Sequence, residues 1–413
     1  MINPNNNLDS IYEKLGKNIC LYPFFGAFYQ TNNKIDNPDS NTSNSVRPCS
    51  VILEQDVNIW NVTNDNIVES RNNDYWKEVR KTFIEKSCHD VSGCFACSYN
   101  EKSGATSARN MNNHFFTEFL SCDIVDEVKK IIANDYQSSE IRALDYFPSN
   151  YCNYECIMCD GGASSNRFVF EVKVYGIKQT MQINDVDSDF YKILDTVEII
   201  NFTGGETVLQ KQVVDLMDYL IEKDLAKNII ITLIANASSF PAKLEERLRK
   251  FKDVFFTISL DGIEDVIEYQ RRRSDWNTVK ENSVKIYNSF GSVINYVLTA
   301  VNVFGFGEFI KWAHSNKMHR ITVSPVFRHE YYSAAVLPPE IKTNLLKKLY
   351  SDRQEFLNEP QWTNLFDQVI SVIERSEHNP NLIPQFIKQI NKEDLVSKKK
   401  LIDVVPEWKP YFE

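Results

Sequence analysis

The sequence has no long apolar run. No stretch of its 413 residues approaches the roughly 18–20 consecutive apolar residues that a membrane-spanning helix requires. Its first residues have neither the charged nor the apolar region of a secretory signal peptide, and no repeat of solenoid length is visible. These absences argue against a membrane protein or a repeat array, and they predict a cytoplasmic protein without a membrane partner.

The chain also has no excess of positive charge. It carries 46 Lys and Arg against 56 Asp and Glu, which gives a net charge of −10. A broad nucleic-acid surface needs clustered Lys and Arg, so we do not expect a nucleic-acid partner. The length predicts two or three domains with enough material for a buried core. Nine cysteines in a reducing compartment are expected to be metal ligands and free thiols rather than a disulfide framework.

From about residue 140, short runs rich in Ile, Val and Phe alternate with helical patterns. Such runs are typical of strands buried on both faces, and the alternation predicts a parallel α/β sheet with right-handed connections. Six units fall short of the eight that close a full barrel, so we expect a partial (β/α)6 TIM barrel. The predicted strands are Ile141–Phe147, Val197–Phe202, Ile229–Ala235, Val254–Leu260, Val293–Val301 and Ile321–Val326. The predicted helices between them are Val208–Glu222, Ala242–Lys250, Ser274–Phe290 and Glu308–Asn316.

Four segments follow from composition and periodicity. Residues 1–115 hold four spaced cysteines and many aromatics, and include a polar loop between two strand-like runs, Ile35–Val46. Residues 116–138 have the apolar spacing of a connecting helix. The partial barrel is expected over 139–330, and a C-terminal helical extension over 331–413.

Three cysteines, Cys152, Cys156 and Cys159, stand in the run Y-C-N-Y-E-C-I-M-C-D after the first predicted strand. Protein iron–sulfur clusters are normally closed by four thiolates. A local set of three therefore predicts a 4Fe-4S cluster with one iron open to a ligand, by the logic of catalytic metal sites. The loop also lies at the carboxyl end of a strand, where α/β sheets bind ligands. The alternative is a fragment of a zinc site, or buried free thiols.

The run N-F-T-G-G-E-T follows the second predicted strand and contains Gly204, Gly205 and Glu206, with Gly204 placed 45 residues beyond Cys159. Glycines let backbone atoms approach a ligand closely, and a glutamate can accept hydrogen bonds from an ammonium group. The alternative is an ordinary turn, since two glycines after a strand usually form one.

Polar residues also end the third and fourth predicted strands. Asn236 ends the third, and Ser259 and Asp261 end the fourth in the run S-L-D-G, which can equally be a simple turn. Arg271 begins a run of three arginines that can equally be a solvated face.

Together these motifs resemble those of the radical S-adenosylmethionine (SAM) superfamily. The resemblance implies that the open iron chelates the amino acid end of SAM and that the Gly-Gly-Glu motif binds its amino group. It implies that the region of Asn236, Ser259, Asp261 and Arg271 contributes to SAM binding. Reduction of the cluster would cleave SAM to a 5'-deoxyadenosyl radical, which would abstract a hydrogen atom from a substrate. One departure is Met158, which stands where many members have an aromatic residue.

A second set comprises Cys20, Cys49, Cys94 and Cys97. The last two form a C-x2-C pair that can place two thiolates on one metal, and the first two bracket the polar loop. Four sulfur ligands suit either zinc or an iron–sulfur cluster. The remaining thiols, Cys88 and Cys122, are expected to be plain thiols, although Cys88 is the substitute ligand if one of the four is not used.

The second set resembles a twitch domain, the short form of the SPASM domain, which carries an auxiliary 4Fe-4S cluster. The pattern includes Glu101, Gly104, Ser107 and Arg109 after the cysteines, and the loop between Cys20 and Cys49 is longer than usual and lacks the usual glycine. The resemblance implies a twitch domain that precedes the radical SAM core, with zinc as the alternative metal. The ending L-I-D-V-V-P-E-W, residues 401–408, resembles that of the same group.

The substrate is predicted from the resemblance alone. Twitch and SPASM enzymes modify peptides or proteins, which we expect here, or oxidise small polar molecules such as aminosugars. The resemblance also implies a reducing partner such as flavodoxin or ferredoxin. A module that keeps its clusters or zinc but has lost catalysis is the non-enzymatic alternative. No catalytic acid, base or hydrogen donor can be assigned, because the reacting atom of the substrate is unknown.

Overall fold

The structure is a computed structural model, in which ten strands are numbered in chain order. The described residues are 6–31, 45–50, 52, 67–91, 93–104, 106–176, 186, 188–326 and 328–412. Residues 35–44 of the predicted polar loop lie outside them, and its last two residues, Ser45 and Val46, begin a strand. The strands are β1 Gly26–Gln30, β2 Ser45–Arg47, β3 Ala143–Phe147, β4 Glu155–Cys156, β5 Ile199–Phe202, β6 Ile230–Ala235, β7 Asp253–Ser259, β8 Arg271–Arg272, β9 Gly291–Leu298 and β10 Ile321–Pro325.

Eight of these strands form one sheet in the order β10-β9-β7-β6-β5-β3-β1-β2. All neighbouring pairs are parallel except β1 with β2. The six predicted strands are confirmed as β3, β5, β6, β7, β9 and β10, with ends that differ by up to three residues. The fold is therefore α/β with a mostly parallel sheet, as the alternation of strands and helices predicted.

The sheet also contains two strands that the sequence did not predict as part of it. Strand β1 pairs in parallel with β3, so residues from the expected N-terminal segment extend the same sheet. Its sequence G-A-F-Y-Q is aromatic rather than rich in Ile and Val, and it lies far from the regular alternation of strands and helices. Composition therefore gave no sign of this pairing.

The expectation that the strands are buried on both faces was wrong for β6, β7, β9 and β10. Buried residues alternate there with half-buried ones. The half-buried face carries many polar side chains, which include Thr232, Thr257, Asn295 and Ser324. Hydrogen bonds link some of them across strands, as between Thr232 and Asn201 at 2.6 Å. One face of the sheet packs apolar side chains, and the other is partly polar.

The predicted connecting helix, residues 116–138, is interrupted. The structure ends one helix at Phe119 and begins the next at Ile124, with Leu120 extended and buried between them. The carboxylate of Asp123 accepts a hydrogen bond from the amide of Asp126 and so caps the second helix. The apolar spacing correctly predicted the buried face of this second helix, but apolar spacing alone does not show where a capped helix begins.

Most helices lie between the strands or after β10. The residues after Pro338 hold four helices, the last of which is one turn long. The helices are Leu8–Leu15, Tyr22–Phe25, Ile67–Ser70, Asp74–Glu85, Phe95–Ser103, Ala108–Phe119, Ile124–Ala133, Ser165–Tyr175, Lys211–Glu222, Ala242–Leu248, Glu264–Gln270, Trp276–Ser289, Phe306–Ser315, Pro339–Gln354, Pro360–Arg375, Leu382–Asp394 and Leu401–Val404. Among the described helices, none combines the length and the apolar character needed to cross a bilayer.

Candidate metal centres

The first set of cysteines lies on the loop between β3 and helix Ser165–Tyr175. Cys152 and Cys156 are buried, and Cys159 is half-buried. The start of the helix holds this loop. The Oγ of Ser165 accepts a hydrogen bond from the amide of Cys152 at 3.1 Å, and the Oγ of Ser164 donates to the carbonyl of Tyr154 at 2.8 Å. The loop is therefore fixed by local polar contacts.

The three thiols affect one another electrostatically. Burial raises the pKa of Cys152 to about 12, and the charge of Cys156 adds to that shift. Burial also raises the pKa of Cys159 well above its usual range, followed by the charges of Cys156, Asp160 and Cys152. Thiolates in such a set repel one another, so they need a bound cation to become charged together. This donor set fits an iron–sulfur cluster, although no three His, Cys, Asp or Glu side chains within the described ranges converge on the position of a single metal ion.

The Gly-Gly-Glu segment packs directly on the backbone before Cys152. The amide of Gly205 donates to the carbonyl of Ser149 at 3.1 Å, and that of Glu206 donates to the carbonyl of Tyr151 at 2.7 Å. A Cβ at Gly205 would lie 2.1 Å from the carbonyl oxygen of Tyr151. At Gly204 it would lie 2.5 Å from the carbonyl oxygen of Ser149, with a backbone φ of +109°. Both glycines are needed because two stretches of backbone touch here.

We expect Gly205→Ala to destabilise the protein, because its new methyl group would overlap the backbone of the cysteine loop. The free energy of unfolding should fall by about 1–3 kcal/mol, the usual cost of overpacking. The thermal unfolding midpoint of the metal-free protein measures this effect. Gly305→Ala is the matched control, because its Cβ would come no closer than 3.4 Å to Val266. Equal midpoints for the two variants would contradict this reading of the contact.

The glycine contacts place Glu206 beside the cysteine loop in a buried position. Its Oε2 accepts a hydrogen bond from the amide of Asn236 at 2.7 Å. Its Oε1 has no hydrogen-bond partner among the described residues. Burial raises the pKa of Glu206 to about 8, although the Asn236 amide opposes this shift. A buried oxygen without a partner is costly, so this atom is suited to a donor group from a bound molecule.

Two other predicted residues end neighbouring strands. The side-chain amide of Asn236 donates to the Oδ1 of Asn153 at 3.0 Å and so reaches the cysteine loop. Ser259 is the last residue of β7, is half-buried, and lies opposite Asn295 in register. Asn153 was missed by the sequence prediction, since only its position between Cys152 and Cys156 could have indicated a role.

Asp261 and Arg271 contact each other and the cysteine loop. The fully buried Asp261 accepts a hydrogen bond from the amide of Val297 at 2.7 Å, and its Oδ2 lies 2.7 Å from the Nε of Arg271. The guanidinium of Arg271 also lies 3.8 Å from the Sγ of Cys156. Burial raises the pKa of Cys156, whereas the positive charge of Arg271 lowers it. Arg271 therefore stabilises the thiolate form of this cysteine.

The second set of cysteines also meets at one place. Cys20, Cys49, Cys94 and Cys97 all line a single small cavity. The pKa of Cys20 is raised well above its usual range by burial, and next by the charges of the other three thiols. Cys94 directly precedes helix Phe95–Ser103, whose first turn contains Cys97. A helix N-terminus favours thiolates, so the chemistry of this donor set also suits an iron–sulfur cluster.

Side chains from helix Ala108–Phe119 fix the backbone around Cys20. Arg109 donates to the carbonyls of Lys17 and Ile19 at 2.9 and 3.1 Å, and Asn113 accepts from the amide of Leu21 at 2.9 Å. The guanidinium of Arg109 is held by Glu101 at 2.9 and 3.0 Å. Two further residues of the motif also have structural roles. Ser107 donates to Glu101 at 2.7 Å, and Gly104 ends helix Phe95–Ser103 with a backbone φ of +80°.

Cys122 belongs to neither set of cysteines. Cys122 lies between helices Ala108–Phe119 and Ile124–Ala133, and burial raises its pKa to about 11. The side chain of Cys88 lies outside the described part of the chain.

Asp145 is a buried acid that the sequence prediction missed. It lies on β3, accepts a hydrogen bond from Asn201 at 3.2 Å, and has its pKa raised to about 6 by burial. The sequence feature that could have indicated it is a charged residue inside the otherwise apolar run A-L-D-Y-F.

A separate cavity of about 670 Å³ is lined by Glu155, Arg272 and Phe170, and none of the predicted cofactor residues lines it.

Residues 146–313 match the family model described as Radical SAM superfamily. The matched segment contains Cys152, Cys156 and Cys159 and every predicted SAM-contacting residue. Residues 146–313 therefore match a radical SAM domain, and the cofactors of that family are SAM and an iron–sulfur cluster. None of the curated proteins is a significant match to the chain.

Several solved structures are similar to part of this chain. Native anSMEcpe with bound AdoMet and Cp18Cys peptide has 19% identity and a TM-score of 0.38, over 52% of this chain and 61% of that chain. SuiB of Streptococcus suis bound to precursor peptide SuiA has 16% identity and a TM-score of 0.38, over 64% and 60% of the two chains. TYW1 with a lysine-pyruvate adduct bound has 15% identity and a TM-score of 0.32, over 51% and 73%. The alignments thus span less than two thirds of anSMEcpe and of SuiB.

Proposed function

We propose that the chain binds SAM at a 4Fe-4S cluster held by Cys152, Cys156 and Cys159. The main support is the buried Oε1 of Glu206, which lacks a partner and lies on the segment packed against the cysteine loop. In this position Glu206 can accept a hydrogen bond from the amino group of SAM. When bound, the cluster supplies the electron that cleaves SAM to a 5'-deoxyadenosyl radical, which abstracts a hydrogen atom from the substrate.

The protein's own residues prepare this site in three ways. The thiols provide three ligands and leave the fourth position to SAM. Arg271 places a positive charge beside Cys156, and Asp261 holds that arginine in place. Asn236 holds the Oε2 of Glu206 with its amide and contacts the cysteine loop with its side chain. Ser259 belongs to the same strand-end region and is proposed as a further contact of SAM.

We further propose that Cys20, Cys49, Cys94 and Cys97 bind an auxiliary 4Fe-4S cluster in a twitch-like region over residues 1–115. Their shared cavity and the effect of three thiols on the pKa of Cys20 support one common site. Four protein ligands would leave no position for a substrate. When bound, this cluster can carry an electron from a substrate radical or toward the SAM cluster, with a flavodoxin or ferredoxin as the proposed external reductant.

The proposed substrate is a peptide or protein, as the resemblance to twitch and SPASM enzymes implies. Its test is the incubation of the reduced enzyme and SAM with peptides encoded by neighbouring genes, followed by mass spectrometry. We expect a change of peptide mass that depends on SAM. A SAM-dependent change in a sugar or another small polar molecule, with the peptides unaltered, would contradict this assignment.

The test of the proposed reaction is anaerobic incubation of the iron-loaded protein with dithionite and SAM. We expect 5'-deoxyadenosine and methionine as products, and a brown protein that absorbs near 400 nm. A colourless protein that contains zinc and no iron, or a brown protein that leaves SAM intact, would overturn the proposal.

We expect Glu206→Gln to weaken SAM binding by about 10–100-fold, because a neutral amide replaces the carboxylate that accepts from the amino group. Equilibrium dialysis of SAM with the cluster-loaded protein measures this loss. Glu222→Gln is the matched control, because Glu222 is exposed and lies at the opposite end of helix Lys211–Glu222 from the motif. An unchanged affinity in Glu206→Gln would show that this carboxylate does not bind SAM.

The pH dependence of the same binding gives a second check on Glu206. Its pKa of about 8 means that the free site holds a proton on this carboxyl at lower pH. A bound amino group that donates a hydrogen bond to this carboxylate favours its ionised form, so SAM affinity should rise with pH until about 8, by up to about tenfold per pH unit. The rise should be absent in Glu206→Gln.

A further inference from the structure

The ribbon formed by β4 and β8 has two distinct faces. The register pairs Cys156 with Arg271 and Glu155 with Arg272. Successive residues of a strand point to opposite faces. The face with Cys156 and Arg271 therefore belongs to the proposed SAM site, and the face with Glu155 and Arg272 points away from it.

The second face contacts a buried carboxylate from the C-terminal part of the chain. Glu393 belongs to helix Leu382–Asp394, and its side chain is fully buried. It is hydrogen-bonded to the guanidinium of Arg272, which also donates to Glu155 at 2.7 Å. Arg167 donates two hydrogen bonds to Glu393 at 3.0 and 2.9 Å. Burial alone raises the pKa of Glu393, but Arg167 and Arg272 outweigh it, so the net shift is downward.

Arg167 connects this carboxylate to the other side of the cysteine loop. It lies in the first turn of helix Ser165–Tyr175, whose starting residues bond to the loop. Arg167 and Arg272 also face the ring of Phe170, with their guanidinium carbons 4.3 and 4.6 Å from its centre. Glu393 thus joins the helix that follows the loop to the ribbon that contains Cys156.

We infer that Glu393 is a positioning residue for the SAM-cluster loop, and this inference rests on the proposed function. A buried ionic group is weak support for stability as such, because apolar residues often serve as well. Its bidentate geometry does fix two elements relative to each other. Through Arg272 and Arg167, Glu393 fixes the position of Cys156 relative to Cys152, although it contacts neither thiol.

The test is Glu393→Gln in the full-length, iron-loaded protein. The neutral amide removes the carboxylate that Arg167 and Arg272 share, so the ribbon of β4 and β8 is expected to shift. Loss of such an outer partner typically costs about 10–100-fold in metal affinity or activity. We expect 5'-deoxyadenosine formation to fall by that factor. The electron paramagnetic resonance signal of the reduced SAM cluster should lose its response to SAM, while the auxiliary cluster signal stays unchanged.

Asp394→Asn is the matched control on the neighbouring residue. Its carboxylate accepts hydrogen bonds from the hydroxyl of Tyr269 at 2.7 Å and from the amide of Leu401 at 3.1 Å, so it joins helix Glu264–Gln270 to the chain end and is not bonded to Arg272. If Glu393→Gln does not fold, Arg272→Lys decides, because it keeps the charge but removes the paired hydrogen bonds. The same selective loss is expected there.

The outcomes separate the two proposals. Unaltered protein that neither binds iron at Cys152, Cys156 and Cys159 nor cleaves SAM overturns the proposed function, and this inference with it. Normal SAM cleavage in both the unaltered protein and Glu393→Gln overturns the inference alone. Equal loss of both clusters in Glu393→Gln and Arg272→Lys shows a general structural role and also overturns it.

Discussion

Replacement of Cys152, Cys156 and Cys159 by alanine together is expected to abolish the formation of 5'-deoxyadenosine. The three thiols are the proposed protein ligands of the SAM cluster, so their loss removes the whole centre. Bound iron should fall from about eight to about four atoms per chain, the content of one remaining 4Fe-4S cluster. Anaerobic iron analysis and chromatography of the reaction with dithionite and SAM measure the two effects.

Cys122→Ala is the control for this triple variant. Cys122 is a half-buried thiol between two helices, and neither proposed cluster uses it. It should keep both the iron content and the SAM cleavage of the unaltered protein. If the triple variant still produced 5'-deoxyadenosine, the assignment of the open cluster to this loop would be wrong. If it lost all eight iron atoms, the two sets would depend on each other for folding.

Local sequence patterns predicted the parts of the fold that depend on nearby residues. The six predicted strands, β3, β5, β6, β7, β9 and β10, were found because each is a short apolar run bounded by polar residues. The loop with Cys152 and the segment with Glu206 were found because each follows a strand, and the ends of parallel strands meet at one edge of the sheet. The close packing of Gly205 on Tyr151 is the direct contact between these two motifs.

The features that the sequence did not reveal depend on contacts between distant residues. Strand β1 pairs with β3 across more than one hundred residues, and nothing in the sequence of β1 indicates which strand it pairs with. Glu393 meets Arg167 across 226 positions, within a segment whose pattern indicates only a helix. In the run of three arginines, Arg271 contacts Cys156 and Arg272 contacts Glu393. The alternative of a solvated face therefore holds only for Arg273, which is exposed.

Replacement of Cys94 and Cys97 by alanine together is expected to remove the auxiliary cluster and keep SAM cleavage. These residues supply two of the four proposed ligands from one helix turn, and Cys20 and Cys49 alone cannot complete the coordination of a cluster. Bound iron should again fall to about four atoms per chain. The rate of 5'-deoxyadenosine formation with dithionite should stay near that of the unaltered protein, because dithionite reduces the SAM cluster without the auxiliary one.

The two cysteine variants together assign the metal of each set. If Cys94 and Cys97 bind zinc, their replacement removes zinc and leaves iron unchanged, which contradicts an auxiliary iron–sulfur cluster. If they bind a cluster that accepts an electron from the substrate radical, the double variant cleaves SAM but forms no modified substrate. Full formation of the modified substrate by a folded double variant would exclude that electron-acceptor role. The second set of thiols would then either pass electrons toward the SAM cluster or hold the chain around Cys20, whose backbone Arg109 and Asn113 fix.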